Sequence, residues 1–251
     1  MDVKPTEEVK KMASIKKHFV CVAVAALLAN AGASAQTAKH QYRLDGTLSD
    51  DFGGPALVAS GGTLNSTDYV FGRNQGLTLT ESLGSVYTID LSFSFDSHGG
   101  WQKIVDFSNL SSDIGMYTLG TQYRFFNLTS DIGAAPAAGV AGRLTLTRDA
   151  SSLLSIYSNG TLLTSFSDQS AADLTGRTAS FFIDDFPTGQ SESGTGKVNY
   201  IRTYDTALSA IQVASLASPL APVPEPETYA LLLAGLGIIG AAVKRRKAMQ
   251  A

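Results

Sequence analysis

Thiol chemistry is almost absent from this sequence. Its one cysteine, Cys21, lies in an apolar run near the N-terminus that reads as a removable leader. The chain beyond it then has no thiol, no disulfide and no cysteine-based metal site, which fits an oxidising compartment. Histidine is nearly as scarce. Beyond residue 35 only His40 and His98 remain, far apart, with no Ser-His-Asp or metal-binding His spacing. Between residues 36 and 224 the only glutamates are Glu81 and Glu192, and neither has an acidic residue two positions away. Asp184 and Asp185 are adjacent, so in a strand they would face opposite sides. These gaps argue against an enzyme. Basic residues are also few there: ten Lys/Arg stand against seventeen Asp/Glu, a net charge of −7 over 189 residues. A mildly acidic domain without a basic patch excludes nucleic acid as the expected partner. No repeat of fixed period is visible.

What is present is concentrated first at the two ends. Lys16-Lys17-His18 is a basic start, residues 19–28 form an apolar stretch, and Ala33-Ser34-Ala35 is a small-x-small cleavage site. Residues 1–35 therefore read as a signal peptide for the Sec translocon, with Gln36 first in the mature chain. Asp2, Glu7 and Glu8 are acidic, which leaders avoid, so translation is expected to begin at Met12. At the other end, 218–222 is a short linker. Val223-Pro224-Glu225-Pro226 follows, then the uncharged run 229–243, then Lys244-Arg245-Arg246-Lys247. The prolines cannot sit inside a helix, the apolar run can enter lipid, and the four cations hold its end on the cytoplasmic side. About 16 residues are fewer than the ~20 of a comfortable span, which suits a transient anchor. Residues 223–251 closely resemble the PEP-CTERM sorting signal of Gram-negative bacteria. That resemblance implies recognition by an exosortase, cleavage near the Pro-Glu-Pro block, and delivery to the cell surface or extracellular matrix of a bacterium that makes extracellular polysaccharide. An ordinary membrane anchor is the alternative.

The segment between reads as short strands. Tyr87, Ile89, Leu91, Phe93 and Phe95 alternate strictly with Thr88, Asp90, Ser92, Ser94 and Asp96, a strand with one buried and one wet face. Asn159-Gly160 lies between two β-prone runs and predicts a type I′ hairpin. Residues 132–142 read as a loop, 179–184 and 197–204 as strands. Residues 207–216 read as a short helix in which Leu208, Ile211 and Leu216 can share a face. Many short strands with Gly/Asn/Asp turns point to an all-β, two-sheet antiparallel sandwich. Tyr42-Arg43-Leu44-Asp45-Gly46, the run 143–149 leading into Tyr157-Ser158-Asn159-Gly160, and 196–204 followed by Ala207-Leu208-Ser209 resemble the LamG-like (concanavalin A-like lectin/glucanase) jelly roll. The expected domain is 36–217. The glucanase branch of that fold carries Glu-x-Asp-x-x-Glu on one strand, and this chain has no such run.

Two binding features stand out. LamG-like folds often hold calcium at the sandwich rim through the oxygen ligands that ion prefers. Here Asp184, Asp185 and Glu192 bracket a loop and are the candidate ligands, the alternative being a solvated acidic turn. Trp101, beside His98 and Gly99-Gly100, is the candidate for stacking on a sugar ring, the alternative being a core plug. Two functions follow: a binding module for a glycan or matrix polymer, or a structural surface spacer without a specific ligand. An aromatic cluster on one sheet would favour the first, a uniformly Ser/Thr-covered surface the second.

Overall fold

The structure is a computed structural model and describes residues 36–216. The leader, the linker, the sorting block and the apolar run 229–243 lie outside the described residues. Among the described residues no helix is long and apolar enough to cross a membrane.

Among the described residues, fifteen strands form two antiparallel sheets, accompanied by one short helix. The eight-stranded sheet comprises β1 (His40–Tyr42), β3 (Thr63–Leu64), β4 (Tyr69–Phe71), β6 (Tyr87–Phe95), β11 (Gly142–Arg148), β12 (Leu153–Ser158), β13 (Thr161–Ser167) and β15 (Gly196–Tyr204). Its order is β13-β12-β11-β6-β15-β4-β3, with β1 also on β15. The seven-stranded sheet runs β10 (Gly133–Ala134), β9 (Gln122–Phe125), β8 (Gly115–Leu119), β7 (Trp101–Asp106), β14 (Ala179–Phe181), β5 (Leu77–Leu79), β2 (Val58–Ala59). The fold is the two-sheet jelly-roll sandwich that the strand pattern predicts.

Strand β6 is central, paired along nearly its whole length with β11 and β15. Tyr87, Ile89, Leu91, Phe93 and Phe95 point between the sheets and are at most 3% exposed. Each large side chain buried this way stabilises the fold by about 1.5–3 kcal/mol before entropy is counted. The opposite face, which the alternation predicts to be wet, is so only in part: Ser92 is half-buried and Asp96 exposed. Thr88 and Asp90 are fully buried and Ser94 nearly so. The chain after β15 folds back over this face. Thr88 Oγ1 donates to the Thr206 carbonyl (2.7 Å) and accepts from the Leu208 N–H (3.0 Å). Asp90 accepts from Thr145 Oγ1 (2.6 Å) and Arg202 Nη2 (2.9 Å). These polar groups tolerate burial because they are paired.

The covering element is α1 (Ala210–Ser215), started by a Ser209–Gln212 capping box. The expected apolar face is corrected: Ile211 is 79% exposed, and Val213 is the buried residue. A helix this short turns one residue squarely onto the sheet. Val213 packs with Leu208, Tyr157 and Tyr204, and Arg143 holds the helix end by donating to the carbonyls of Val213 (3.0 Å) and Leu216 (2.7 Å). Asn159 (φ 49°) and Gly160 (φ 81°) make the predicted hairpin between β12 and β13. The 132–142 loop contributes the two-residue edge strand β10 and the first residue of β11.

Two departures from regular strand geometry position the site. A bulge between Lys103 and Val105 lets the neighbours Ile104 and Val105 both reach the core and turns Lys103 outward. Strand β14 ends at Phe181 rather than at Asp184. Phe182 takes the left-handed conformation (φ 60°), so consecutive phenylalanines are both buried, and Phe182 stacks on Phe71 with centroids 4.1 Å apart. Asp184 and Asp185 then leave the strand, so the rule that strand neighbours face opposite sides does not apply to them.

Candidate functional site

Lys103 lies on β7 with its ammonium fully buried. Its Nζ is 3.2 Å from Asp184 Oδ1, 3.2 Å from Asp185 Oδ2 and 3.3 Å from Asp106 Oδ2, and donates to the Ser112 carbonyl at 3.4 Å. The Tyr117 ring lies 5.1 Å away on a further side. Each carboxylate is also held by the backbone. Asp106 accepts from the N–H groups of Ser108 (3.0 Å) and Leu110 (2.8 Å), Asp184 from Glu192 (2.8 Å), and Asp185 from Thr188 (3.1 Å). The Asp184 and Asp185 side chains are fully buried, so the loop is not a solvated acidic turn.

One ammonium does not balance this many carboxylates. Burial, only partly offset by hydrogen bonds and Lys103, raises the pKa of Asp106. Asp113 is raised by burial and by its hydrogen bond to Asp185. Asp185 moves the other way: burial opposes its ionisation, but Asp113, the Thr188 N–H and Lys103 outweigh it. Between Asp113 and Asp185, Asp113 is thus the one that keeps its proton longer and Asp185 the one that ionises first. Oxygens of Asp113, Asp184 and Asp185 lie within 4.8 Å of one another.

The same loop builds one wall of a cavity of about 400 Å³. The Lys103 N–H donates to the Glu192 carbonyl (2.8 Å), stitching the loop to β7. The turn before β5 braces it from the far side, Arg73 Nη2 donating to the Ser191 carbonyl (2.6 Å) and Asn74 Nδ2 to that of Gln190 (2.8 Å). A Cβ on Gly194 would lie 2.5 Å from Gln102 Nε2 and 2.9 Å from the buried Phe95 ring, so any larger residue there would force these side chains to shift. The opposite wall is Gly99, Gly100 and Trp101. Trp101 is half-buried, edge-on to Tyr117 (5.4 Å) and Phe126 (5.8 Å), with the Arg124 guanidinium 5.7 Å from its ring. It is therefore not a core plug. Of the lining residues, Ser193 and Glu192 each have a buried side-chain oxygen, Oγ and Oε2, without a hydrogen-bond partner. Burial, then the carboxylates of Asp113 and Asp184, push the Glu192 carboxyl above its ordinary value.

The structure thus brings the sequence candidates Asp184, Asp185, Glu192 and Trp101 to one end of the sandwich. Glu192 belongs to both features: it lines the cavity, and its backbone joins the Lys103 network. His98 turns away and pairs with the Pro136 carbonyl (2.8 Å). Sequence reasoning missed Lys103, Asp106, Asp113, Arg73 and Ser193. A charge inside the apolar run Trp101–Phe107 was the one available signal. The sorting residues Val223, Pro224, Glu225 and Pro226, and the stop Lys244, Arg245, Arg246 and Lys247, lie outside the described residues.

No curated protein matches the chain in sequence. Among solved structures it is similar to domain 4 of AbnA, a GH43 extracellular arabinanase from Geobacillus stearothermophilus in complex with arabinotriose (TM-score 0.54, 16% identity, 74% of this chain and 100% of that one). It is also similar to the Trypanosoma rangeli sialidase in complex with sialic acid (TM-score 0.59, 12% identity), over 74% of this chain but 33% of the sialidase. A third is the botulinum neurotoxin serotype G binding domain (TM-score 0.54, 16% identity, 71% of this chain and 50% of that one). Identities this low establish a shared fold. Residues 222–247 match the family described as the PEP-CTERM protein-sorting motif. The chain is therefore a β-sandwich carrying a PEP-CTERM sorting motif, the mark of an exported protein processed by an exosortase.

Proposed function

We propose that this protein crosses the inner membrane through the Sec translocon behind a leader at 1–35, is held there by the apolar run 229–243, and is cut by an exosortase near Val223 to Pro226. The sandwich is then delivered to the cell surface or extracellular matrix of a Gram-negative bacterium, where it binds a glycan or matrix polymer. Its site is the Trp101 cavity. The observation that carries this is that one cavity is lined by a half-buried indole and by two residues, Ser193 and Glu192, whose side-chain oxygens Oγ and Oε2 have no hydrogen-bond partner in the protein. An unpaired buried acceptor costs about 1–3 kcal/mol. A pyranose or furanose ring supplies both what the indole wants, an apolar C–H face, and what the two oxygens want, hydroxyl groups.

The acidic groups behind Glu192 favour a neutral or cationic glycan over a polyanionic one. The arabinotriose and sialic acid bound by structural relatives lend support at the level of fold. Binding rather than catalysis is supported by the lining itself, in which Glu192 is the one carboxylate, whereas glycoside hydrolysis ordinarily needs two. The test is a glycan array probed with the purified, processed protein and with Trp101→Ala, each with and without calcium. Selective binding lost in Trp101→Ala supports the site. An array without binding favours the spacer reading.

A further inference from the structure

Calcium is the cation the fold resemblance suggests for Asp184, Asp185 and Glu192, and the oxygen-rich donor set suits it. The arrangement of side chains does not. The point to which Asp184 Oδ1, Asp185 Oδ2 and Asp106 Oδ2 converge is taken by the Lys103 ammonium, at 3.2, 3.2 and 3.3 Å. Calcium binds oxygen at about 2.3–2.6 Å. An ion drawing on these same oxygens would press against a buried like charge. Glu192, the expected third ligand, is tied to this group through its backbone, its N–H donating to Asp184 Oδ2 and its carbonyl accepting from the Lys103 N–H.

We infer that Lys103 is a built-in cation that does the ordering work of a metal ion here, so that the loop forming the cavity wall is set without calcium. Its ammonium joins segments distant in the chain: β7 itself through Asp106, the turn at Ser112, and the loop at Asp184 and Asp185. An ammonium has three protons to donate and no acceptor capacity; here they go to Asp106 Oδ2, Asp185 Oδ2 and the Ser112 carbonyl, and it holds Asp184 Oδ1 at 3.2 Å by charge alone. Its surroundings are a carboxylate-rich shell of the kind that holds a hard cation, with a covalently tethered charge at the centre. Asp113 completes the shell, one of its oxygens lying within 4.8 Å of oxygens of Asp184 and Asp185. The tether makes the ordering permanent, whereas a metal site would empty and fill with the external ion concentration.

Loop order is independent of whether the cavity takes a glycan, and melting reads it directly. The processed protein is melted in EDTA and in roughly 1 mM calcium, where extracellular calcium modules begin to fill, beside Lys103→Ala. The wild type is expected to melt at the same temperature in both. Lys103→Ala, which removes the charge and opens space among the carboxylates, is expected to melt lower in EDTA and to recover several degrees in calcium but not in magnesium. A wild type stabilised by calcium or destabilised by EDTA overturns the inference. So does a folded Lys103→Ala indifferent to calcium. If Lys103→Ala folds in neither buffer, the wild-type comparison alone decides.

Discussion

Lys103 Nζ and Asp185 Oδ2 lie 3.2 Å apart, both fully buried, although 82 residues separate them in the chain. A buried pair of this kind is weak evidence of net stability, since both charges lose their water. Removing one partner is another matter, because it strands the other charge. Lys103→Met is expected to cost about 3–5 kcal/mol. Asp185→Asn should cost less, since Asp106 and Asp184 still hold the ammonium. The double variant should fall short of the sum of the two, because each single change already breaks the pair. Denaturant unfolding of the four proteins measures this, and strict additivity would show that the two residues do not interact.

Core orientation along β6 gives a sharper contrast. Leu91 is fully buried between the sheets, and its neighbour Ser92 is partly exposed on the outer face. Leu91→Asp is expected to abolish folding, since a lone carboxylate there has no partner, and Leu91→Ala to cost about 2–5 kcal/mol. Ser92→Asp should be mild, being opposite Arg143 in the β6–β11 register. Equal melting temperatures for Leu91→Asp and Ser92→Asp would reverse the assignment of faces.

These cases show which parts of the molecule were legible in the sequence. Alternation along β6 and the Asn159-Gly160 turn are local signals, and both carried through to the fold. The burial of Thr88 and Asp90 was not legible, because their cover comes from residues 202–208, over a hundred positions away. The end of β14 was missed because Phe182 takes a conformation that its side chain disfavours, and distant packing against Phe71, Phe93 and Phe95 holds it there. At the site, Asp184, Asp185 and Trp101 could be picked out individually, since an adjacent pair of aspartates and the one tryptophan of the chain are conspicuous. Lys103 could not be assigned to them. A lysine on an outward strand position looks the same in sequence whether it meets water or three aspartates.

Trp101 and Ser193 separate recognition from stability. Trp101 is half-buried at the rim, and the atom lost in Ser193→Ala has no partner in the protein. Trp101→Ala is expected to weaken glycan binding by roughly tenfold or more, as truncation of an aromatic anchor does. Ser193→Ala should weaken it less and leave the melting temperature unchanged or slightly raised, because an unsatisfied hydroxyl is removed. Titration calorimetry against the best ligand from the array checks both. Unchanged affinity in Trp101→Ala would place the binding surface elsewhere.

Glu192 sets a pH dependence with a definite sign. Its folded-state pKa lies above the ordinary 4.5, through burial and then the nearby carboxylates, so its ionised form is the disfavoured one. Its destabilising effect is absent below pH 4.5 and complete above the folded value. Glutamine mimics the protonated state. Glu192→Gln is therefore expected to raise the melting temperature at pH 7, with the gain disappearing below pH 4.5. Asp50 has the opposite sign. Burial alone would raise it, but N–H donors from Gln41, Phe52 and Gly54 and the His40 ring hold it below 3.8, so its contribution is lost as pH falls through the folded value. Melting curves of the wild type and Glu192→Gln across this range test the assignment, and a gain that persists at pH 4 would contradict it.

The sorting block makes the last prediction. If Lys244 to Lys247 stay in the cytoplasm, the Pro-Glu-Pro block lies just outside the inner membrane, at the far end of the apolar run. Pro224 and Pro226 cannot sit in a helix interior, so they favour an extended backbone there. A membrane-embedded protease needs such a backbone, since a helix would hide its peptide bonds. The processed protein is accordingly expected to lack residues 229–251. Replacing Pro224, Glu225 and Pro226 together by alanine should leave uncut precursor in the inner membrane, because the apolar run still inserts while the cleavage block becomes helix-compatible. Intact-mass measurement of protein from the inner membrane and from the cell surface separates the forms. Surface protein that retains residues 244–251 would mean that the apolar run is an ordinary anchor and that the motif at 222–247 is not cut.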